Sequence, residues 1–84
     1  MKEYMDGMGW DTDKAKKVAE HKGEPAHVET VYLTPLGRWF LVYTFHQPGV
    51  AFNPLTTEQA LSWMKDHQLM EAIDQHFPDM VADA

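Results

Sequence analysis

Residues 27–46 read HVETVYLT, then PLG, then RWFLVYTFH. The outer pieces are rich in β-branched and aromatic residues, which fit a pleated, half-buried surface. The middle piece is turn chemistry. The ring of Pro35 already holds φ near the value needed at the second position of a type I turn, and Gly37 can take the left-handed position that closes a three-residue loop. The stretch predicts a β-hairpin, and the turn fixes its register. Thr34 faces Arg38, Leu33 faces Trp39, Val31 faces Leu41, Glu29 faces Tyr43 and His27 faces Phe45.

Side chains alternate across a strand, so the pairs beyond the turn share one face. Val31, Leu33, Trp39, Leu41, Tyr43 and Phe45 make it the expected core. The opposite face carries Tyr32 against Phe40, Thr30 against Val42 and Val28 against Thr44. A solvated sheet face is clearly polar, and this one is not. Either another part of the chain or another molecule must cover it. Val28, Thr30, Tyr32, Phe40 and Val42 are therefore the candidate interaction surface.

Upstream, a helix is expected over residues 12–22. Asp11 or Thr12 can cap it, Asp13 suits its positive end, Lys22 its negative end, and Gly23 stands where a left-handed stop belongs. Its apolar stripe is thin, Ala15, Val18 and Ala19, so it must borrow stability from packing. It is the chain's own candidate cover for the second face. Residues 1–10, MKEYMDGMGW, read as a loosely ordered arm that Tyr4 and Trp10 can anchor.

Downstream, Pro48-Gly49 fits a type II turn leading to a third strand over 50–53. Thr56 and Gln59 have the spacing of a capping box. They open a helix over 57–66 with Ala60, Leu61, Trp63 and Met64 on its apolar face. The periodicity slips at His67-Gln68 and resumes in another phase at Leu69, Met70, Ala72, Ile73, His76 and Phe77. A second helix over 69–77 follows, ended by Pro78. The expected fold is α+β in a single domain, residues 1–84. It has a three-stranded antiparallel meander (27–34, 38–46, 50–53), an N-terminal helix and two C-terminal helices packed on the sheet.

With 84 residues the core is modest, but four Phe, three Trp and three Tyr enlarge it. There is no cysteine, which excludes disulfides and thiolate zinc sites. No apolar run reaches the length of a membrane span and no signal-peptide pattern opens the sequence, so a cytoplasmic protein without membrane contact is expected. The net charge is −6. Within residues 47–84, Lys65 stands alone against Glu58, Asp66, Glu71, Asp74, Asp79 and Asp83. Lys14, Lys16, Lys17 and Lys22 are interleaved with Asp11, Asp13 and Glu20. Phosphate neutralisation needs clustered cations, so direct nucleic-acid binding is disfavoured.

The segments TPLGRWFL (34–41), LTTEQALSW (55–63) and EAIDQHF (71–77) together resemble a group of small bacterial proteins. Their shared pattern is a T-x-x-G-x-W-F hairpin, an E-x-A-L-x-W helix and a short E-A-hydrophobic-x-x-H-F helix, often in mobile gene neighbourhoods such as integron cassettes. The match covers residues 30–77. Members often carry Asn-Gly between the helices, where this chain has His67-Gln68. The resemblance implies the layout and carries no activity or functional residue.

The sequence holds no nucleotide-binding glycine loop, H-E-x-x-H or serine elbow. Of five His, His27 and His46 fall on opposite faces of the hairpin, and His67 and His76 are out of phase on a continuous helix. No ligand spacing is recognised, so no metal, other cofactor or catalytic residue is expected. The leading expectation is a non-enzymatic protein-interaction module. The alternatives are a small-molecule module with an aromatic and Met-lined pocket, or an acidic inhibitor of a nucleic-acid-binding protein. A homodimer is expected because strand 27–34 reads as an edge with neither Lys nor Pro in its interior.

Overall fold

The computed structural model describes residues 1–23, 27–44 and 49–80. A hairpin of β1 (Lys2–Met5) and β2 (Met8–Asp11) opens the chain. Four strands follow: β3 (Lys16–Gly23), β4 (His27–Leu33), β5 (Trp39–Thr44) and β6 (Val50–Leu55). They form one antiparallel sheet in sequence order, separate from the two-stranded hairpin. Two helices close the chain, α1 (Thr57–Asp66) and α2 (Met70–His76), before a 3-10 turn at Pro78–Met80. No helix among the described residues is long and apolar enough to cross a membrane.

The central hairpin has the expected register. Leu33 pairs with Trp39, Val31 with Leu41, Glu29 with Tyr43, Tyr32 with Phe40, Thr30 with Val42 and Val28 with Thr44. Thr34 N–H donates to the Arg38 carbonyl, and Gly37 takes φ +80° in the turn. The expected partner of His27 on the second strand, Phe45, and Pro48 of the expected Pro48-Gly49 turn lie outside the described residues. The third strand of the meander forms and runs two residues further than expected, through Pro54 and Leu55. Proline is tolerated there because β6 is an edge. The capping box of α1 is present in both directions, between Thr56 and Gln59. The helices bend apart at Gln68, which adopts φ +55°.

The expected N-terminal helix over residues 12–22 does not form, and the sheet has four strands rather than three. The capping chemistry is present but closes a single turn. Asp11 Oδ1 accepts from Asp13 N–H, and the Asp11 carbonyl accepts from Lys14 and Ala15. The chain then extends into β3 and pairs along β4, with a bulge between Lys17 and Ala19. The reason is tertiary. A thin Ala-Val-Ala stripe gives a helix little to bury, whereas a strand here satisfies the outer backbone groups of β4. Residues 1–10 likewise form an ordered hairpin. Asp6 and Gly7 both take positive φ, 54° and 73°, as a type I′ turn demands.

Two cores result, one on each face of the sheet. Val31 and Trp39 meet Ala60, Met64 and Ile73 of the helices. Phe40 and Val42 meet Trp10, with Met5 and Met8 beside them. The cover of the second face is thus the N-terminal hairpin. Both premises of the expected homodimer change. Strand β4 is interior, and the new edge β3 carries Lys16, Lys17, Lys22 and a bulge, the usual defences of an exposed edge.

Candidate metal centre

The five residues expected to form an interaction surface lie in or beside the second core. Phe40, Val42 and Thr30 are only 0 %, 3 % and 8 % exposed. Tyr32 is half-buried and stacks on Phe40, with ring centroids 5.2 Å apart. Val28 is also half-buried, further along β4. Of the two covers considered, another part of the chain or another molecule, Trp10 and its neighbours supply the first. Of the candidate interaction surface, Thr30, Phe40 and Val42 are thus buried within this chain, and Val28 and Tyr32 are half-buried.

On the helix face, polar chemistry gathers where β3, β4 and the end of α1 meet. His21 and Glu29 are direct cross-strand partners. The alternation of side chains puts both on the face of Val31, together with Tyr43. α1 runs over this face and ends at His67, its C-cap. The ligand atoms of His21, Glu29 and His67 all lie within 4.8 Å of one another. His67 Nε2 is 3.7 Å from Glu29 Oε2, and the His67 ring stacks on His21 with centroids 3.8 Å apart.

A surrounding set of groups holds the carboxylate. His27 Nε2 stands 3.7 Å from Glu29 Oε2, and Trp63 Nε1–H reaches Glu29 Oε1 through a long hydrogen bond of 3.5 Å. His27 is itself stacked on Tyr43, centroids 4.9 Å apart. Trp63 packs edge-on against His67. His27 lies over Gly23, where even a Cβ would run into its imidazole. Glycine at this position therefore lets the ring lie against β3 and keeps it beside Glu29. The Glu29 side chain is 17 % exposed and that of His67 23 %, so the site is partly sheltered yet open to a small ion.

No family model matches the chain, and neither a curated protein nor a solved structure matches it. The chemistry of the site must therefore be read from its own donors. Two imidazoles and one carboxylate are a donor set that zinc and the later first-row divalent metals accept. Tetrahedral zinc with bonds of 2.0–2.1 Å sets its ligand atoms about 3.4 Å apart. The separation of 3.7 Å between His67 and Glu29 is close to that, and the outer limit of 4.8 Å requires a closure of about 1.4 Å. The lone pair that an imidazole nitrogen donates to a metal lies in the ring plane, so the stacked His21 and His67 rings must splay to share one ion.

The sequence reading missed this cluster because it placed His21 on a helix. It also compared the histidines only with one another and with acids close in sequence, Asp66 beside His67 and Glu71 before His76. Glu29, opposite Tyr43 on the expected core face, is the residue around which His21, His27 and His67 assemble.

Proposed function

We propose that the protein binds a divalent transition-metal ion, zinc being the best match, through His21, Glu29 and His67. The observation that carries this is the convergence of those three donors, from β3, β4 and the end of α1, within 4.8 Å. His27 and Trp63 orient the carboxylate, the role that hydrogen-bonded neighbours play around metal ligands generally. Three protein ligands leave a fourth zinc position for water or an exogenous ligand. The function proposed is binding. The interaction-module reading was motivated by an apolar face that this chain covers itself.

Thermal unfolding with and without zinc is the test. A ligand at a hundredfold excess over its Kd stabilises by about 2.7 kcal/mol, which raises the Tm of a domain this size by about 10 °C or more. Imidazole nitrogen chemical shifts should move for His21 and His67 as zinc is added. The double variant His21→Ala/His67→Ala should lose the Tm rise. A rise that survives in that variant, or nitrogen shifts confined to other histidines, would remove the proposal.

A further inference from the structure

At the opposite end of β4, on the other face of the sheet, a groove of about 310 Å³ separates the N-terminal hairpin from the β4–β5 turn. Met8 and Trp10 form one wall, and Pro35 and Leu36 the other. Leu36 is 86 % exposed, an apolar side chain held at the groove by the turn. Lys14 and Arg38 complete the lining. Neither side chain has an ion-pair partner among the described residues. One acid, Asp11, is also in the lining; its Oδ1 accepts from Asp13 N–H, which turns that carboxylate toward the backbone of the turn before β3 without cancelling its charge.

We infer that this groove binds a small aromatic carboxylate. The apolar walls fit a compact ring body, and the volume lies at the lower end of the range of about 300–1,000 Å³ typical of ligand sites. The charge pattern selects the head group. This chain has a net charge of −6, yet the groove lining carries two cations, Lys14 and Arg38, against the single carboxylate of Asp11. The Arg38 guanidinium can grip a carboxylate through two parallel N–H donors, and Lys14 adds a second positive charge. A cationic aromatic compound would meet Lys14 and Arg38 as like charges, so the groove discriminates against it. The site shares no residue with the His21–Glu29–His67 cluster, and it stands or falls independently of metal binding.

The probes are indole-3-acetate and its neutral amide, titrated into the full chain and followed by amide chemical shifts. The carboxylate should shift residues 8–14 and 34–38 in a saturable way, and the amide should bind at least tenfold more weakly. Arg38→Gln should weaken the carboxylate by a similar factor and leave the amide unchanged. Arg38 is solvent-exposed at the turn, so the variant keeps its fold. As a second route, Leu36→Asp should abolish carboxylate binding by placing a like charge in the wall. Equal affinities of acid and amide, shifts elsewhere on the surface, or no saturation at 5 mM (about the millimolar limit of weak binding) would overturn the assignment.

Discussion

Trp10 meets Phe40 edge-on, with ring centroids 5.6 Å apart and planes inclined by 63°. This contact turns ten N-terminal residues into a structural layer. Phe40 is fully buried with Trp10, itself 3 % exposed, lying against it and Tyr32 and Phe52 stacked beside it. The indole N–H is satisfied within the same hairpin by the Met5 carbonyl at 3.0 Å. Trp10→Ala should therefore cost about 3–5 kcal/mol, the range for deleting a buried aromatic. Tyr4, on the same hairpin but 74 % exposed, is the control. Tyr4→Ala should stay within about 0.5 kcal/mol of the parent. Urea unfolding measures both, and equal effects would mean that the hairpin does not cover the sheet.

The α1 start offers a second, local prediction. Thr56 Oγ1 accepts from Gln59 N–H at 3.1 Å, and Gln59 Oε1 accepts from Thr56 N–H at 2.9 Å. Thr56→Ala removes one half of this exchange and should cost about 1 kcal/mol. Because α1 carries Ala60 and Met64 into the core, the loss should appear in the global unfolding midpoint rather than as fraying alone. A variant with loosened amides at residues 57–59 and an unchanged midpoint would show that the helix start is not coupled to the core.

Gly23 tests how the candidate metal centre is held. Its neighbour across the ladder is His27, whose ring occupies the space that a Cβ would need. Gly23→Val should push the imidazole off Glu29, freeing the carboxylate to rotate. Zinc affinity should fall about 10- to 100-fold, as when a group orienting a metal ligand is lost. The three donors themselves are unchanged. Calorimetric titration gives the affinity, and undiminished binding would remove His27 from the site.

What the sequence made legible follows from the range of each signal. The hairpin over residues 27–44 and its register were written locally, in Pro35, Gly37 and an alternating run, and so was the Thr56–Gln59 cap. The error at residues 12–22 came from reading capping residues as the start of a helix when they serve a single turn. Whether Lys16–Gly23 is helix or strand is decided by the open edge of β4, a partner remote from any helix signal. The Asp6-Gly7 pair was a strong local cue for a hairpin, flanked by Tyr4, Met8 and Trp10. It would have supplied the missing cover for Phe40 and Val42. The cluster at Glu29 depends on both strand pairing and helix placement. His21 arrives through the β3 register and His67 through the direction of α1, so neither could be placed beside Glu29 by spacing alone.

His76 gives the last prediction, in pH. It sits near the end of the helix core, edge-on to Trp39 at 5.6 Å, and its Nε2 is buried without a hydrogen-bond partner among the described residues. Burial, and secondarily the positive charge of Lys16, holds its pKa below the ordinary 6.5. The folded protein therefore resists protonating this ring, while the unfolded chain takes up the proton at the ordinary value. More protons are bound in the unfolded state, so stability rises with pH across this window. The contribution is complete above 6.5 and is lost as pH falls through the lower folded value. His76→Leu removes the titration and the orphaned nitrogen while keeping an apolar body against Trp39. Urea unfolding at pH 7.5 and 5.5, with chelator present so that no metal contributes, should show the variant gaining on the parent as pH falls. Parallel stability curves for the two proteins would mean that His76 reaches solvent readily enough to protonate in the fold.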